Sequence, residues 1–124
     1  MTDTEILDYL DSNGYPAHIV RGGRAGLIRR WSDFVEEVRR GYEFGLEDYR
    51  NDLDIRGILR LVEAESDPAV IEADQKLGEL LTATTTRVWE SFGNDPWWDF
   101  GYPANCAGDL RRDLRAEGLW ESAG

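Results

Sequence analysis

The stretch Gly26–Tyr42, which reads GLIRRWSDFVEEVRRGY, decides the fold class of this chain. Its apolar residues recur at offsets of 0, 4, 7, 8, 11 and 15. An α-helix brings residues with this spacing onto one face, because it completes a turn in about 3.6 residues. The face consists of Leu27, Trp31, Phe34, Val35, Val38 and Tyr42. Charged residues fill most of the other positions, so the pattern predicts an amphipathic helix packed against a core.

A second stretch, from Ala73 to Val88, repeats the same six offsets. Its apolar side consists of Ala73, Leu77, Leu80, Leu81, Thr84 and Val88. Asp67 and Pro68 precede it, which is an N-cap residue followed by the proline that the first turn of a helix accepts. Two long helices with matching apolar faces predict a packed helical pair.

Shorter helices are expected at both ends of the chain. Thr2 or Thr4 can cap a first helix, which Asn13 and the residues after it would end. A closing helix is expected before Gly118, because glycine is favoured just beyond the last turn.

Two further predictions concern the segments between these helices. Residues 46–65 are predicted to form two helices, divided where Asp52 or Asp54 caps the second one. Residues 18–26, HIVRGGRAG, are predicted to form a basic connecting loop, which in principle could bind an anion. The chain as a whole, residues 1–124, is predicted to be a single all-α domain, a bundle of about five helices with a long aromatic-rich loop covering one side.

The composition is strongly acidic, with 25 acidic against 14 basic residues and a net charge of −11. A surface that binds nucleic acid needs an excess of basic residues, so we predict no nucleic-acid partner. An acidic surface suits a basic protein partner, although the same acidity also serves solubility. Residues 46–81 carry ten acidic and four basic residues, so an acidic binding face is expected there first.

The sequence also bears on localisation and chemistry. The first twenty residues lack the basic and apolar regions of a signal peptide, and Cys106 is the single cysteine, so we predict a soluble cytoplasmic protein with no membrane partner. One histidine and one cysteine argue against a zinc site, and no glycine motif for a nucleotide is present. We therefore predict no catalytic residue, no cofactor and no metal.

The segment Trp89–Pro103, WESFGNDPWWDFGYP, holds six of the fourteen aromatic residues and has neither helical nor strand periodicity. We expect it to close the open side of the helical core. Aromatic residues beside carboxylates are typical of the centre of a protein interface. The predicted partner-binding residues are Glu47, Asp48, Asp95, Trp97, Trp98, Asp99 and Tyr102.

The pattern Asp48-Tyr49, Asn51-Asp52-Leu53 and Arg56, followed by Trp97-Trp98, resembles one found in a family of small bacterial proteins of unassigned function. The resemblance spans residues 31–119 and implies no activity. It does imply that the segment around Asn51 and the double tryptophan belong to one architecture. We assign Asn51, Asp52 and Arg56 a structural role: the first two would hold the turn between two helices, and Arg56 would pair with Asp52.

Two classes of function remain open. The first is a non-enzymatic binding protein, in its sharpest version an inhibitor of the immunity-protein or antitoxin type, which blocks a basic toxin or nuclease. The alternative is a small enzyme or ligand-binding protein that uses carboxylates such as Asp99 beside an aromatic pocket. A homodimer subunit with an aromatic self-interface is a further alternative.

Overall fold

A computed structural model describes residues 2–82, 87–89 and 96–120. In these parts of the chain the architecture is all-α, as predicted. The five helices are α1 (Asp3–Ser12), α2 (Ala17–Arg40), α3 (Leu46–Leu61), α4 (Pro68–Leu80) and α5 (Gly108–Ala116). A short 3₁₀ turn, Trp97–Asp99, precedes α5. None of the helices is both long and apolar enough to cross a membrane, within the described ranges.

The helix pair predicted from the two apolar faces is present: α2 packs against α4, and α1 and α3 cover other sides of α2. All six residues of the first apolar face are buried, including Tyr42, which lies just beyond the end of α2. Two of the three predicted caps are also confirmed. Thr2 accepts a hydrogen bond from the amide of Glu5, and Asp67 accepts one from the amide of Ala69.

The basic loop predicted for residues 18–26 is wrong, because α2 already begins at Ala17. A single residue interrupts it: Gly23 has φ 55° and ψ −150° and kinks the helix. Glycine reaches this backbone region without the steric cost that a Cβ imposes. Ile19 and Val20 pack against the core from the first part of the helix. One glycine therefore bends the helix where the sequence suggested a flexible connector.

The division of residues 46–65 into two helices is also wrong, because α3 runs without a break from Leu46 to Leu61. The two aspartates that were expected to cap a second helix have partners on other segments. Asp52 accepts a hydrogen bond from Tyr42 Oη at 2.6 Å, and Asp54 accepts one from Trp89 Nε1 at 2.6 Å. These contacts occupy the two carboxylates, so the aspartates do not compete with the helix for backbone hydrogen bonds. The helix therefore continues through both residues.

Helix α4 ends at Leu80, eight residues before the end of the predicted apolar face. Leu81 is extended and pairs with Pro103 across an isolated bridge. The amide of Thr82 donates to the carbonyl of Tyr102 at 2.9 Å. At Leu81 and Thr82, backbone pairing with the aromatic segment thus takes the place of the helix. Val88 is buried as predicted, whereas Thr84 lies outside the described residues.

A partly buried ionic network, centred on the buried Arg56, joins four parts of the fold. Arg56 on α3 donates to both carboxylate oxygens of Asp74 on α4, at 3.0 and 2.9 Å, and to Glu65 at 2.7 Å. Trp31 on α2 donates to the same Asp74 at 2.9 Å. The Arg56 guanidinium lies over the Trp98 ring, 4.4 Å from its centroid. Because removing one partner of a buried ion pair leaves an uncompensated charge, this network holds the aromatic segment against the helices.

Candidate functional site: an acidic cleft beside helix α3

The acidic cleft is an open cavity of about 440 Å³ between α2, α3 and the segment that connects them. Helix α2 contributes Ile19, Arg30, Asp33, Phe34 and Glu37; the connecting segment contributes Tyr42 and Phe44; and α3 contributes Asp48, Asn51, Asp52 and Ile55. Four carboxylates and one guanidinium therefore share the cleft with three aromatic rings. Part of it comes from residues 46–81, the region in which the charge distribution predicted an acidic face.

An aromatic cluster separates α2 and α3 beside the cleft. At this place both helices present charged residues from their exposed sides, and these residues line the gap. Phe34 is buried and contacts the rings of both Tyr42 and Tyr49, with centroids 5.8 and 5.6 Å apart. Tyr42 meets Tyr49 edge to face at 5.6 Å. Large rings keep the helices apart at this point, so the carboxylates line a depression.

Three of the four carboxylates in the cleft, those of Asp33, Glu37 and Asp48, make no ion pair with any residue that the structure describes. Other carboxylates of the chain are paired, for example Glu36 with Arg39 and Glu117 with Arg50. The negative charge of the cleft is thus left uncompensated apart from Arg30. This is the arrangement that attracts a positively charged group.

Asp52 is the most enclosed carboxylate of the cleft, and its Oδ2 atom accepts the hydrogen bond from Tyr42. Burial raises the pKa of Asp52, and the negative charges of Glu37 and Asp48 raise it further. The hydrogen bond from Tyr42 acts in the opposite direction. Burial is also the largest cause of the raised pKa of the Tyr42 hydroxyl, so Tyr42 remains a neutral donor. A cation bound beside Asp52 would favour the ionised carboxylate.

Phe44 forms an apolar rim of the cleft. Its side chain is 50% exposed, the largest exposed fraction among the large apolar residues described. The ring stands edge to face against Tyr42, with centroids 5.7 Å apart. An exposed aromatic ring beside unpaired carboxylates combines the two groups that bind organic cations.

A second cleft, of about 530 Å³, lies on the other side of the N-terminal part of α3. Its residues are Leu46, Glu47, Arg50, Asn51, Trp89, Asp113, Ala116 and Glu117. Its charges are largely satisfied: Arg50 pairs with Glu117 at 2.7 Å and donates to the carbonyl of Val88 at 3.0 Å. Asp113 accepts a hydrogen bond from the amide of Leu46 at 3.1 Å, which caps α3 from another helix. These contacts indicate a structural joint between α3 and α5.

The predicted partner-binding residues separate into two groups. Glu47 and Asp48 are exposed in the first turn of α3, where each lines one of the two clefts. Trp97 is 37% exposed and stands edge to face against Trp98. These three residues are on the surface, as a partner contact requires. Asp95 lies outside the described residues.

The other three predicted partner-binding residues, Trp98, Asp99 and Tyr102, are all buried. Trp98 packs beneath the guanidinium groups of Arg56 and Arg60. Asp99 is fully buried and pairs with Arg87 at 3.2 Å. A carboxylate that is enclosed in this way is not open to a ligand, so the structure does not support an enzyme built around Asp99. Within its described residues, 89 and 96–103, the aromatic segment contributes mainly core residues.

The structural assignments of Asn51, Asp52 and Arg56 need correction as well. Asn51 and Asp52 lie within α3 and hold no turn between helices, and both line the acidic cleft. Arg56 pairs with Asp74 and Glu65, and no ion pair joins it to Asp52 within the described chain. It does have a structural role, but as the centre of the buried network.

Sequence reasoning missed Asp33, Glu37 and Phe44 as site residues. The sequence pattern places Asp33 and Glu37 on the polar side of α2, and this is correct. The pattern does not show which part of the fold that side faces. Phe44 belongs to no periodic pattern, since it lies in the short segment that connects α2 and α3. A signal was present, because Asp33 and Glu37 are four residues apart and share one helix face. Only the packing of α3 against α2 shows that this face meets Asp48 and Asp52.

Metal chemistry has no donor set in the described ranges, since no three residues among His, Cys, Asp and Glu are placed to hold an ion there. Cys106 is buried, and burial raises the pKa of its thiol, which disfavours the reactive thiolate. The groups that the cleft itself presents are carboxylates, a guanidinium and aromatic rings.

A comparison of this chain with protein-family models, with curated proteins and with solved structures finds no match.

Proposed function

We propose that this protein is a non-enzymatic, acidic, cytoplasmic binding protein whose partner is a basic protein. The observation that supports it most strongly is the set of unpaired carboxylates in the acidic cleft, where three side chains from two helices face the same cavity. A surface with uncompensated charge of one sign accelerates encounter with an oppositely charged partner. The most specific form of this proposal is an inhibitor of the immunity-protein or antitoxin type, which binds a basic surface of a toxin or nuclease.

The exposed first turn of α3 extends this surface. Glu47 and Asp48 lie near the N-terminus of the helix, where negative side chains also interact favourably with the helix dipole. This structural benefit accounts for acids at the start of α3. It does not account for Asp33 and Glu37, which lie within α2. The convergence of Asp33 and Glu37 with Asp48 at one cleft favours a binding role over helix stabilisation alone.

The first test is association with a captured partner. The immobilised protein would be exposed at low salt to a lysate of its producing cells, and each captured protein would be identified and purified. We expect a basic protein whose association rate falls by about tenfold or more between about 20 and 500 mM salt, because salt screens exposed charges. We also expect the activity of the captured protein to be blocked at a one-to-one ratio.

Two results would contradict this function. One is the capture of only acidic or neutral proteins. The other is a basic partner whose association rate is independent of salt.

A further inference from the structure

We propose that one exposed face of α2 docks a second copy of this chain. In this dimer the two α2 helices lie antiparallel about a twofold axis, and the basic turn of each helix meets the acidic turn of the other. The face consists of Arg29, Arg30, Asp33 and Glu37. The dimer goes beyond the proposed function and does not require a basic partner.

The first step concerns arginines without a partner. In a chain of 25 acidic and 14 basic residues, a positive charge with no acid beside it is the uncommon case. Most arginines of this chain pair with a carboxylate or lie against an aromatic ring. Those that make neither contact with any residue that the structure describes are Arg21, Arg24, Arg29 and Arg30. All four belong to α2, so the partnerless arginines are gathered on one helix.

The second step concerns the order of charges along α2. Arg29 and Arg30 are exposed, and so are Asp33 and Glu37 on the turns that follow. Because Arg30, Asp33 and Glu37 are three and four residues apart, they share one face of the helix. The face therefore presents two positive charges and then, about 8 Å further along the axis, two negative charges.

The third step explains why these charges do not pair within the helix. Arg29 and Asp33 are four residues apart, yet they form no ion pair. In the ion pairs that the described helices form within themselves at a spacing of three or four, the acid always precedes the base. That order is the more favourable one on a helix. On this face the base precedes the acid, so both signs of charge stay open to another molecule.

The fourth step concerns the identity of that molecule. A basic turn followed by an acidic turn is complementary to itself, because a twofold axis brings each turn opposite the other. A lipid surface or a nucleic acid carries one sign of charge and would match only half of the face. Phe44 is half exposed and lines the same cleft as Arg30, so it adds an aromatic group to the edge of the interface. The charge pattern thus favours a second copy of the chain.

The experiment measures self-association of the purified chain by sedimentation velocity. The buffer would contain about 100 mM salt, which screens repulsion between two chains of charge −11 beyond about 10 Å. We expect the wild type to form dimers at chain concentrations up to about 1 mM. A wild type that stays monomeric over this range would overturn the proposal.

Two charge-reversal variants test the face itself. The double variant Arg29→Glu, Arg30→Glu makes the whole face negative, and Asp33→Arg, Glu37→Arg makes it positive. We expect each variant alone to dimerise about tenfold more weakly than wild type, because like charges then face each other. Mixed in equal amounts, the two variants should form a heterodimer with an affinity within about threefold of the wild-type dimer.

Recovery in the mixture separates lost pairing from misfolding, since a misfolded variant cannot regain affinity. Thermal unfolding of each variant checks its fold separately. Two outcomes count against the proposed interface: variants that each dimerise as the wild type does, and folded variants whose mixture forms no heterodimer.

Two controls test the location of the interface. Lys76→Glu, Arg112→Glu makes the same charge change on exposed sites of α4 and α5, and should weaken the dimer by no more than about twofold. Trp97→Ala should leave the dimer unchanged, because Trp97 belongs to the aromatic segment. Loss of the dimer in Trp97→Ala would overturn the proposal in favour of an aromatic self-interface.

The dimer and the proposed function can fail separately. A chain that stays monomeric but captures a basic protein with a salt-dependent rate refutes the dimer alone. A chain that dimerises through α2 but captures no basic protein refutes the proposed function alone.

Discussion

Tyr42 and Tyr49 both pack against Phe34, but their hydroxyl groups differ in what they contribute to stability. Tyr42 donates to Asp52, whereas the hydroxyl of Tyr49 is buried without a hydrogen-bond partner among the described residues. Burial raises the pKa of the Tyr49 hydroxyl, so the group stays neutral. A buried polar atom without a partner costs free energy, because it loses its hydrogen bonds to water.

We expect opposite results from two matched substitutions. Tyr49→Phe should leave the free energy of unfolding unchanged or raise it by up to about 1 kcal/mol, because an unsatisfied hydroxyl is removed. Tyr42→Phe should lower it by about 1.5 kcal/mol, because Asp52 loses its donor. Urea unfolding of both variants at neutral pH measures the difference. A loss of stability in Tyr49→Phe as large as that in Tyr42→Phe would show that Tyr49 has a partner.

At the scale of the element, α3 shows where sequence reasoning succeeds and where it fails. The apolar spacing of Leu46, Tyr49 and Leu53 identified a helix, and these residues are buried. The capping preference of aspartate then suggested a break at Asp52 or Asp54, which is wrong. A local preference is weak when a distant residue supplies a partner, here Tyr42 and Trp89. Such partners have no signature in the local sequence.

The same reasoning explains the other errors. The end of α4 depends on backbone pairing between Thr82 and Tyr102, which are twenty residues apart. The burial of Asp99 depends on Arg87 and on the closing of the aromatic segment over the core. The helical spacing of the apolar residues could predict the all-α fold and the packing of α2 against α4. It could not predict which polar faces meet across the fold, and the acidic cleft is formed by such a meeting.

Continuity of α3 can be tested by proline substitution at Ile55. In a helix that began after Asp54, residue 55 would be the first helical position, where proline is accepted. In the continuous helix, Ile55→Pro removes a backbone hydrogen bond and clashes with the preceding turn. We expect Ile55→Pro to lower the free energy of unfolding by about 3 kcal/mol more than Ile55→Ala, which controls for the lost side chain.

Urea unfolding followed by circular dichroism measures this difference. Equal stability of the two variants would show that α3 is broken at Asp54.

At the scale of the whole molecule, the charged residues form two groups with different roles. The buried network around Arg56 joins α2, α3, α4 and the aromatic segment, and its acids are paired. Burial raises the pKa of Glu65, but the hydrogen bonds and positive charges of Arg60 and Arg56 together lower it by more, so this carboxylate stays ionised at neutral pH. The acids of the cleft, in contrast, are kept unpaired on the surface. One set of acids holds the molecule together, and the other is available to a partner.

The central claim is that the acidic cleft and the first turn of α3 attract a basic partner. The most direct measurement is the association rate of the captured partner, at low salt, with wild type and with the double variant Glu47→Gln, Asp48→Asn. The matched control is Asp8→Asn, Asp11→Asn, which makes the same charge change on the exposed side of α1.

We expect the α3 variant to associate about tenfold more slowly than wild type, and the α1 variant to differ from wild type by no more than about twofold, because steering depends on where the charge lies. Equal effects of the two double variants would contradict the claim, because net charge and not the location of the charge would then control the encounter.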